Sequence, residues 1–174
     1  WEQAVDFAEE IATALNAAHE LELAHHDLVP DKIMVTTEER IKVLDFRRDR
    51  AKNPFCLSSQ KRTKERLAFQ SPEQIRGDAA GPKADLYALG CLLFYMLTGR
   101  PPFEGNETEI TQKQLGEIPP RVSAVMLDCP IWLDALVAQL LEKDLAKRPY
   151  SAGSVLLALQ ETRKRVAAGG GGAA

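Results

Sequence analysis

The sequence contains no long apolar run, and no stretch approaches the roughly 20 residues that a membrane-spanning helix needs. Its N-terminus lacks the pattern of a secretory signal peptide. The three cysteines, Cys56, Cys91 and Cys129, are scattered and form no CxxC pair, so neither a zinc site nor a disulfide framework is indicated. We therefore expect a reduced, cytoplasmic setting with no membrane contact from this segment.

The composition is that of an ordinary globular domain. Hydrophobic residues make up 45% of the 174 residues, enough for one domain with a real core. The net charge of −3 argues against a general nucleic-acid binder. We expect one domain over 1–166, followed by a flexible Gly/Ala tail over 167–174.

The hydrophobic periodicity predicts a mainly α fold. A helix is expected over 2–21, and β-branched residues predict a short β-hairpin over 33–36 and 41–44. No such periodicity exists over 47–70, where a loop is expected. Ser71, Pro72 and Gly77 match the start and stop signals of a short helix. Further helices are expected over 85–97, 107–115, 131–142 and 151–166, the first of them buried on nearly every face.

Two acidic residues flank the predicted hairpin. Asp27 lies in His25-His26-Asp27-Leu28-Val29-Pro30, and Asp45 follows the second strand, 18 positions later. A hairpin between them would bring both side chains into one cleft. Phosphoryl transfer uses such a pair, in which one carboxylate accepts the hydroxyl proton and the other holds Mg²⁺.

At these residues the chain resembles the eukaryotic-like Ser/Thr protein kinases of bacteria. The family pattern H-R-D-L-K-P-x-N followed by D-F-G corresponds here to H-H-D-L-V-P-D-K and D-F-R. S-P-E, D-x-Y-x-L-G and R-P follow in the family order. The resemblance runs from about residue 1 to 165 and covers only the helical C-terminal lobe. The chain has no G-x-G-x-x-G, so the N-lobe that covers ATP is absent from it.

The resemblance implies roles for individual residues. Asp27 would be the catalytic base, or a loop carboxylate that only caps backbone N–H groups, and Asp45 would hold the metal. Glu73 and Arg148 would form a structural ion pair, and Asp85 would be a structural residue of the central helix. The loop would be the activation segment, with Ser58, Ser59, Thr63 and Arg66 in it. ATP and Mg²⁺ would be needed only if the parent protein is active, and no cofactor is expected for this chain.

Several residues depart from the family pattern. Lys32 stands where the family has a metal-binding asparagine, and an ammonium cannot ligate Mg²⁺. Val29 replaces a lysine that contacts the transferred phosphate, so a positive charge is lost where charge develops. His26 replaces an arginine, and Arg47 replaces the D-F-G glycine, whose backbone freedom arginine lacks. Arg66 stands where a threonine is usual.

Two of these replacements suggest specific contacts. Lys32 either forms an ion pair with Asp45 that disfavours divalent metals, or points into solvent. Arg66 either pairs with Asp27 and holds it away from a substrate, or is a solvated arginine, which the basic composition of the loop favours.

Three functions are compatible with this pattern. The first is a catalytically inactive, pseudokinase-like lobe that serves as a signalling and protein-interaction module. The second is the C-lobe of an active Ser/Thr protein kinase that uses Asp27 as base and Asp45 on Mg²⁺. The third is a purely structural scaffold. The expected partner is another protein or the missing N-lobe, with 99–130 and the basic loop as candidate surfaces.

Overall fold

The computed structural model describes residues 1–46 and 63–169, which contain seven α-helices, one of them a buried central helix. The helices are α1 (Glu2–Glu20), α2 (Lys64–Leu67), α3 (Pro72–Arg76), α4 (Pro82–Thr98), α5 (Glu107–Gly116), α6 (Ile131–Leu140) and α7 (Ala152–Gly169). The strands are β1 (Ile33–Val35) and β2 (Ile41–Val43), and short 3₁₀ helices span Pro30–Lys32 and Val122–Ala124. The predicted mainly α class with one hairpin is confirmed.

The central helix α4 is buried on all sides over its middle. Every residue from 84 to 94 is buried, which agrees with the nearly continuous apolar sequence there. The helix starts three residues earlier than predicted, because Pro82 is suited to the first helical position. Gly90 allows the close approach of α6, since a Cβ at this position would lie 2.7 Å from Cβ of Leu140.

The hairpin is antiparallel and rests on α1. Ile33 pairs with Val43, and Val35 pairs with Ile41. The carboxylate of Glu10 on α1 accepts hydrogen bonds from the backbone N–H of Ile41 and from Nε of Arg40, both at 2.8 Å. A two-stranded hairpin is marginally stable alone, so these contacts with α1 hold it in place.

Three predicted segments need comment. The segment expected to be irregular over 47–70 contains α2, and its residues 47–62 lie outside the described residues. Ser71 and Gln74 form the capping box of α3, which ends at Gly77 with φ of 79° as predicted. Helix α7 continues to Gly169, into the range expected for the tail, because Ala167 and Ala168 favour a helix. The tail itself stays a prediction.

Candidate functional site

The loop that carries Asp27 is anchored by the carboxylate of Asp85, in the first turn of α4. This carboxylate accepts hydrogen bonds from the backbone N–H groups of His25, at 2.7 Å, and His26, at 2.8 Å. The ring nitrogen Nε2 of His19, near the end of α1, lies 2.9 Å from the same carboxylate. Asp85 is 1% exposed, so the bonds replace the hydration that a buried carboxylate loses. This is the arrangement that a structural role for Asp85 requires.

His25 connects this loop to the end of β2. The backbone N–H of Asp27 donates to Nδ1 of His25 at 3.2 Å, so Nε2 carries the ring proton. Nε2 then donates to the carbonyl of Leu44 at 2.7 Å. The ring also packs edge-on against Phe46, with centroids 4.9 Å apart. The residue before Asp45 is thereby held beside the loop that carries Asp27.

His26 adopts a left-handed backbone conformation, with φ of 63°. Its carbonyl accepts a hydrogen bond from Nε2 of Gln74 at 2.7 Å. Gln74 also accepts a hydrogen bond from the backbone N–H of Ser71 as part of the capping box of α3. The cap of α3 therefore also stabilises the unusual conformation next to Asp27, a conformation that costs free energy for a residue other than glycine.

Arg66 binds Asp27. Its NH1 donates to Oδ2 of Asp27 at 2.6 Å, and the two side chains are 26% and 6% exposed. The sequence favoured a solvated Arg66, and this interpretation was wrong. The reason is that Lys64–Leu67 forms α2, which places Arg66 over the loop instead of in a solvated segment.

Lys32 binds Asp45 in an ion pair between Nζ and Oδ2. Of the two predicted orientations of Lys32, the structure shows the one that pairs with Asp45. The backbone N–H of Leu44 donates to the carbonyl of Lys32 at 2.8 Å, so the backbones near both charged groups are also tied together. Asp45 has a φ of 65°, a conformation that Asp tolerates better than most residues.

The arrangement of these groups does not suit a magnesium ion. Mg²⁺ takes oxygen ligands in near-octahedral geometry, whereas ammonium and guanidinium groups are hydrogen-bond donors without acceptor atoms. Both acids of the site, Asp27 and Asp45, carry such a group on one carboxylate oxygen. Within 1–46 and 63–169, no three or more His, Cys, Asp or Glu side chains converge as they would around a metal ion.

Glu73 and Arg148 form the expected ion pair between α3 and the turn before α7. The contact is bidentate, at 2.7 and 2.9 Å, and the side chains are 2% and 0% exposed. Arg148 also donates to the carbonyls of Glu142 and Lys83. Burial opposes ionisation of Glu73, but the Arg148 guanidinium outweighs it and holds the pKa of Glu73 below its ordinary value.

A buried group of polar side chains that the sequence analysis missed supports the segment carrying Arg66. Nε2 of Gln114 donates to the carbonyls of Leu67, at 3.2 Å, and Ala68, at 3.0 Å. The hydroxyl of Tyr87 binds the side-chain oxygen of Gln114, and Nζ of Lys143 donates to that hydroxyl at 2.9 Å. Periodicity alone gives no sign of this group, because its members lie on three separate elements and bond across the core.

A cavity of about 480 Å³ opens beside Arg66. Aromatic residues of three segments, Phe69, Tyr95 and Phe103, contribute to its lining, together with Val29 from the loop that carries Asp27. Charged side chains, including Asp31, also line it. A cavity of this size with an apolar lining and a few charged groups can accept a side chain or a small molecule.

The remaining predicted site residues divide between described and undescribed parts of the chain. Thr63 lies directly before α2 and makes no side-chain capping bond there. Ser58, Ser59 and Arg47 lie outside the described residues. None of the described helices is long and apolar enough to cross a membrane.

Comparison with known families gives one match over most of the chain. The family model of the protein kinase domain matches residues 1–159. The match therefore covers all the described elements that build the site, from α1 to the start of α7.

Individual relatives agree with this match. The chain is 31% identical over 153 residues to a probable serine/threonine-protein kinase of Clostridium acetobutylicum, covering 87% of this chain and 23% of the relative. It is 30% identical to the serine/threonine-protein kinase PknE of Mycobacterium tuberculosis, over 88% of this chain and 27% of that protein. It is 33% identical over 160 residues to the serine/threonine-protein kinase PknB of Mycobacterium leprae, covering 88% of this chain and 25% of that protein. The chain spans less than a third of the length of these curated relatives.

Proposed function

Because this chain belongs to the protein kinase domain family, we propose that it is a kinase-fold C-lobe that does not transfer phosphoryl groups and that acts by binding a protein. The contact between Arg66 and Asp27 carries this proposal. A general base must lie within hydrogen-bond reach of the proton that it removes. Here Oδ2 of Asp27 is bound to a guanidinium at 2.6 Å, and the side chain is 6% exposed.

The other replaced residues support the same conclusion. Val29 is 5% exposed and brings no positive charge to the site. Lys32 binds Asp45 through an ammonium that cannot ligate a metal. Each change removes part of the electrostatic stabilisation on which phosphoryl transfer depends, and a catalytic unit that has lost several such groups retains little activity.

The binding role is supported by the cavity beside Arg66. Its aromatic lining offers an apolar anchor point, and such anchors dominate the affinity of protein interfaces. Tyr95 is 39% exposed and thus accessible from solvent. We propose an apolar side chain of a partner protein as its ligand. A partner recovered with the natural protein should lose at least tenfold in affinity with Tyr95→Ala, whereas Leu157→Ala on α7 should leave its binding unchanged.

An active Ser/Thr protein kinase is the second candidate, and one observation favours it. Both acids of the kinase pattern, Asp27 and Asp45, are retained, and His25 joins their segments through the carbonyl of Leu44. In this case the natural protein would use ATP and Mg²⁺, with Asp27 as base and Asp45 on the metal, after Arg66 and Lys32 had moved away.

Thermal unfolding of the natural protein separates the two candidates. A ligand that binds only the folded state raises the Tm. We expect no rise with Mg²⁺-ATP beyond that with metal-free ATP, and no phosphoryl transfer to a protein substrate. A Mg²⁺-dependent rise that Asp45→Ala abolishes, together with transfer that Asp27→Asn abolishes, would establish the kinase and refute the inactive module.

A further inference from the structure

We propose that the ammonium of Lys32 takes the position of a divalent cation at Asp45, and that it keeps Mg²⁺ and Mn²⁺ out of this cleft. This inference rests on the proposed function and deepens it by naming the cation that occupies the site. It predicts that removal of one amino group opens Asp45 to divalent metals.

The backbone places Lys32 at Asp45. Lys32 is the last residue of the 3₁₀ helix Pro30–Lys32, directly before β1, and Asp45 follows β2 closely. The hydrogen bond from the Leu44 N–H to the carbonyl of Lys32 joins these two ends. The backbone of Lys32 is therefore fixed at the open end of the hairpin. Contact between its ammonium and Asp45 requires ordering of only the lysine side chain.

The exposure of the two groups shows which of them is the more enclosed. The side chain of Lys32 is 20% exposed, and that of Asp45 is 42% exposed. A metal ion can therefore approach Asp45 from solvent, but it meets an ammonium that is already packed against the carboxylate. Because Coulomb repulsion scales with the product of the charges, an ammonium repels a divalent cation twice as strongly as it repels another ammonium.

Within residues 1–46 and 63–169, no group of three or more acidic, histidine or cysteine side chains offers a metal ion further ligands here, which adds to this repulsion. Mg²⁺ gives up its water reluctantly and binds proteins through carboxylates held together with other oxygen donors. Lys32 offers no acceptor atom. The second acid of the pattern, Asp27, is engaged by Arg66. A partly exposed ion pair is weak by itself. Divalent cations are therefore excluded by repulsion and by the lack of further ligands among the described residues, rather than by the strength of the pair.

Mn²⁺ titration of the 174-residue chain, followed by NMR, tests the proposal. Mn²⁺ is paramagnetic and broadens the amide signals of residues near its site. In Lys32→Asn, the signals of Leu44 and Asp45 should reach half-maximal broadening at a Mn²⁺ concentration at least tenfold lower than in the natural sequence. Lys42→Asn is the matched control, because Lys42 is exposed on β2 and its replacement removes the same charge from the same hairpin. It should behave like the natural sequence.

Two further variants identify the site. Adding Asp45→Asn to Lys32→Asn should abolish the new broadening, and Lys32→Arg, which keeps the positive charge, should leave the cleft closed. If Lys32→Asn loses its dispersed amide spectrum, Lys32→Gln serves in its place. The proposal would be overturned if the signals of Leu44 and Asp45 reached half-maximal broadening at the same Mn²⁺ concentration in the natural sequence and in Lys32→Asn. Phosphoryl transfer is measured separately, so failure of the proposed function and failure of this inference are recognised independently.

Discussion

At the scale of single residues, the buried charges of Arg148 and Glu73 stabilise the fold only as a pair. Arg148 and Glu73 are both almost fully buried, and each would be costly without the other. Replacement of a buried pair by apolar groups is often tolerated, whereas removal of one partner leaves an uncompensated charge. The pair therefore offers a sharp test of how α3 is joined to the turn before α7.

We expect Arg148→Met to lower the free energy of unfolding by about 3–5 kcal/mol, because Glu73 would remain buried without a partner. Urea unfolding measures this change. The double variant Glu73→Gln with Arg148→Met should recover part of the loss. Since Arg148 holds the pKa of Glu73 below 4.5, the stabilisation of the natural protein should be complete above that pH and decline as the pH falls further. A loss below about 1 kcal/mol in Arg148→Met would contradict this account.

Two other groups, Lys143 and Cys91, should make the free energy of unfolding depend on pH in the alkaline range. Burial lowers the pKa of Lys143 to about 8 from 10.5. In that range the unfolded chain holds this proton and the folded chain has lost it, so the contribution of Lys143 to stability rises with pH. Burial raises the pKa of Cys91 from 9.0 to about 12, so its contribution falls with pH over that range. The two groups therefore act in opposite directions.

The difference in stability between the natural sequence and Lys143→Met should consequently change with pH. Between pH 7.5 and 9.5 we expect the natural sequence to gain about 1 kcal/mol relative to the variant, after allowance for solvent screening. Urea unfolding at several pH values gives the comparison, and the opposing effect of Cys91 cancels from the difference because both chains carry this residue. A difference that stays constant over this range would show that Lys143 is not perturbed by burial.

At the scale of the elements, the packing of α4 against α6 depends on a missing side chain. Gly90 has no Cβ, and α6 approaches so closely that an added Cβ would meet Cβ of Leu140 at 2.7 Å and the side chain of Leu141 at 3.1 Å. A backbone-bound Cβ on each side leaves little room for adjustment. The two helices would have to move apart if Gly90 carried a side chain.

We therefore expect Gly90→Ala to destabilise the fold by about 1–3 kcal/mol through overpacking. Gly116→Ala at the end of α5 is the matched control, because a Cβ there meets nothing within 4 Å. The control should be neutral or stabilising by about 0.4–1 kcal/mol, since alanine restricts the unfolded chain. Thermal unfolding of both variants measures the contrast, and equal Tm values would argue against this packing.

At the scale of the whole molecule, the hairpin presents an apolar surface next to the site. Met34, which is 42% exposed, and Leu44, which is 38% exposed, lie on the same face of it, because alternate residues of a hairpin share a face. Clustered apolar side chains on a protein surface commonly mark an interaction site. The hairpin was not among the candidate surfaces named from the sequence, which were 99–130 and the basic loop, and the expected partner, another protein or the missing N-lobe, stays a prediction.

For the isolated 174-residue chain, such a surface should promote self-association. We expect Met34→Lys to reduce the apparent mass in light scattering at high protein concentration and to leave the Tm nearly unchanged, because Met34 is 42% exposed. Leu157→Lys, which changes a 60% exposed side chain on α7, should leave the apparent mass as it is in the natural sequence. Identical apparent masses for the natural chain and Met34→Lys would rule out this surface as an association site.

The sequence by itself determined the elements, because their signals act over a few residues. The cap at Ser71, the stop at Gly77 and the apolar run of α4 predicted helices close to the observed bounds. The family pattern also named Glu73 and Arg148 as partners although they are 75 positions apart. Local propensity was weaker at the ends of α4 and α7, where proline and alanine extended the helices beyond the predicted limits.

Only the tertiary structure decided how the charged groups of the site pair. Lys32 had two possible orientations in the sequence, and Arg66 appeared solvated, because a side chain's partner depends on where the fold brings distant segments together. Arg66 meets Asp27 across 39 positions because α2 lies over the loop, with Gln114 holding the next carbonyls. Such contacts arise from packing of the core, and no pattern of neighbouring residues specifies them.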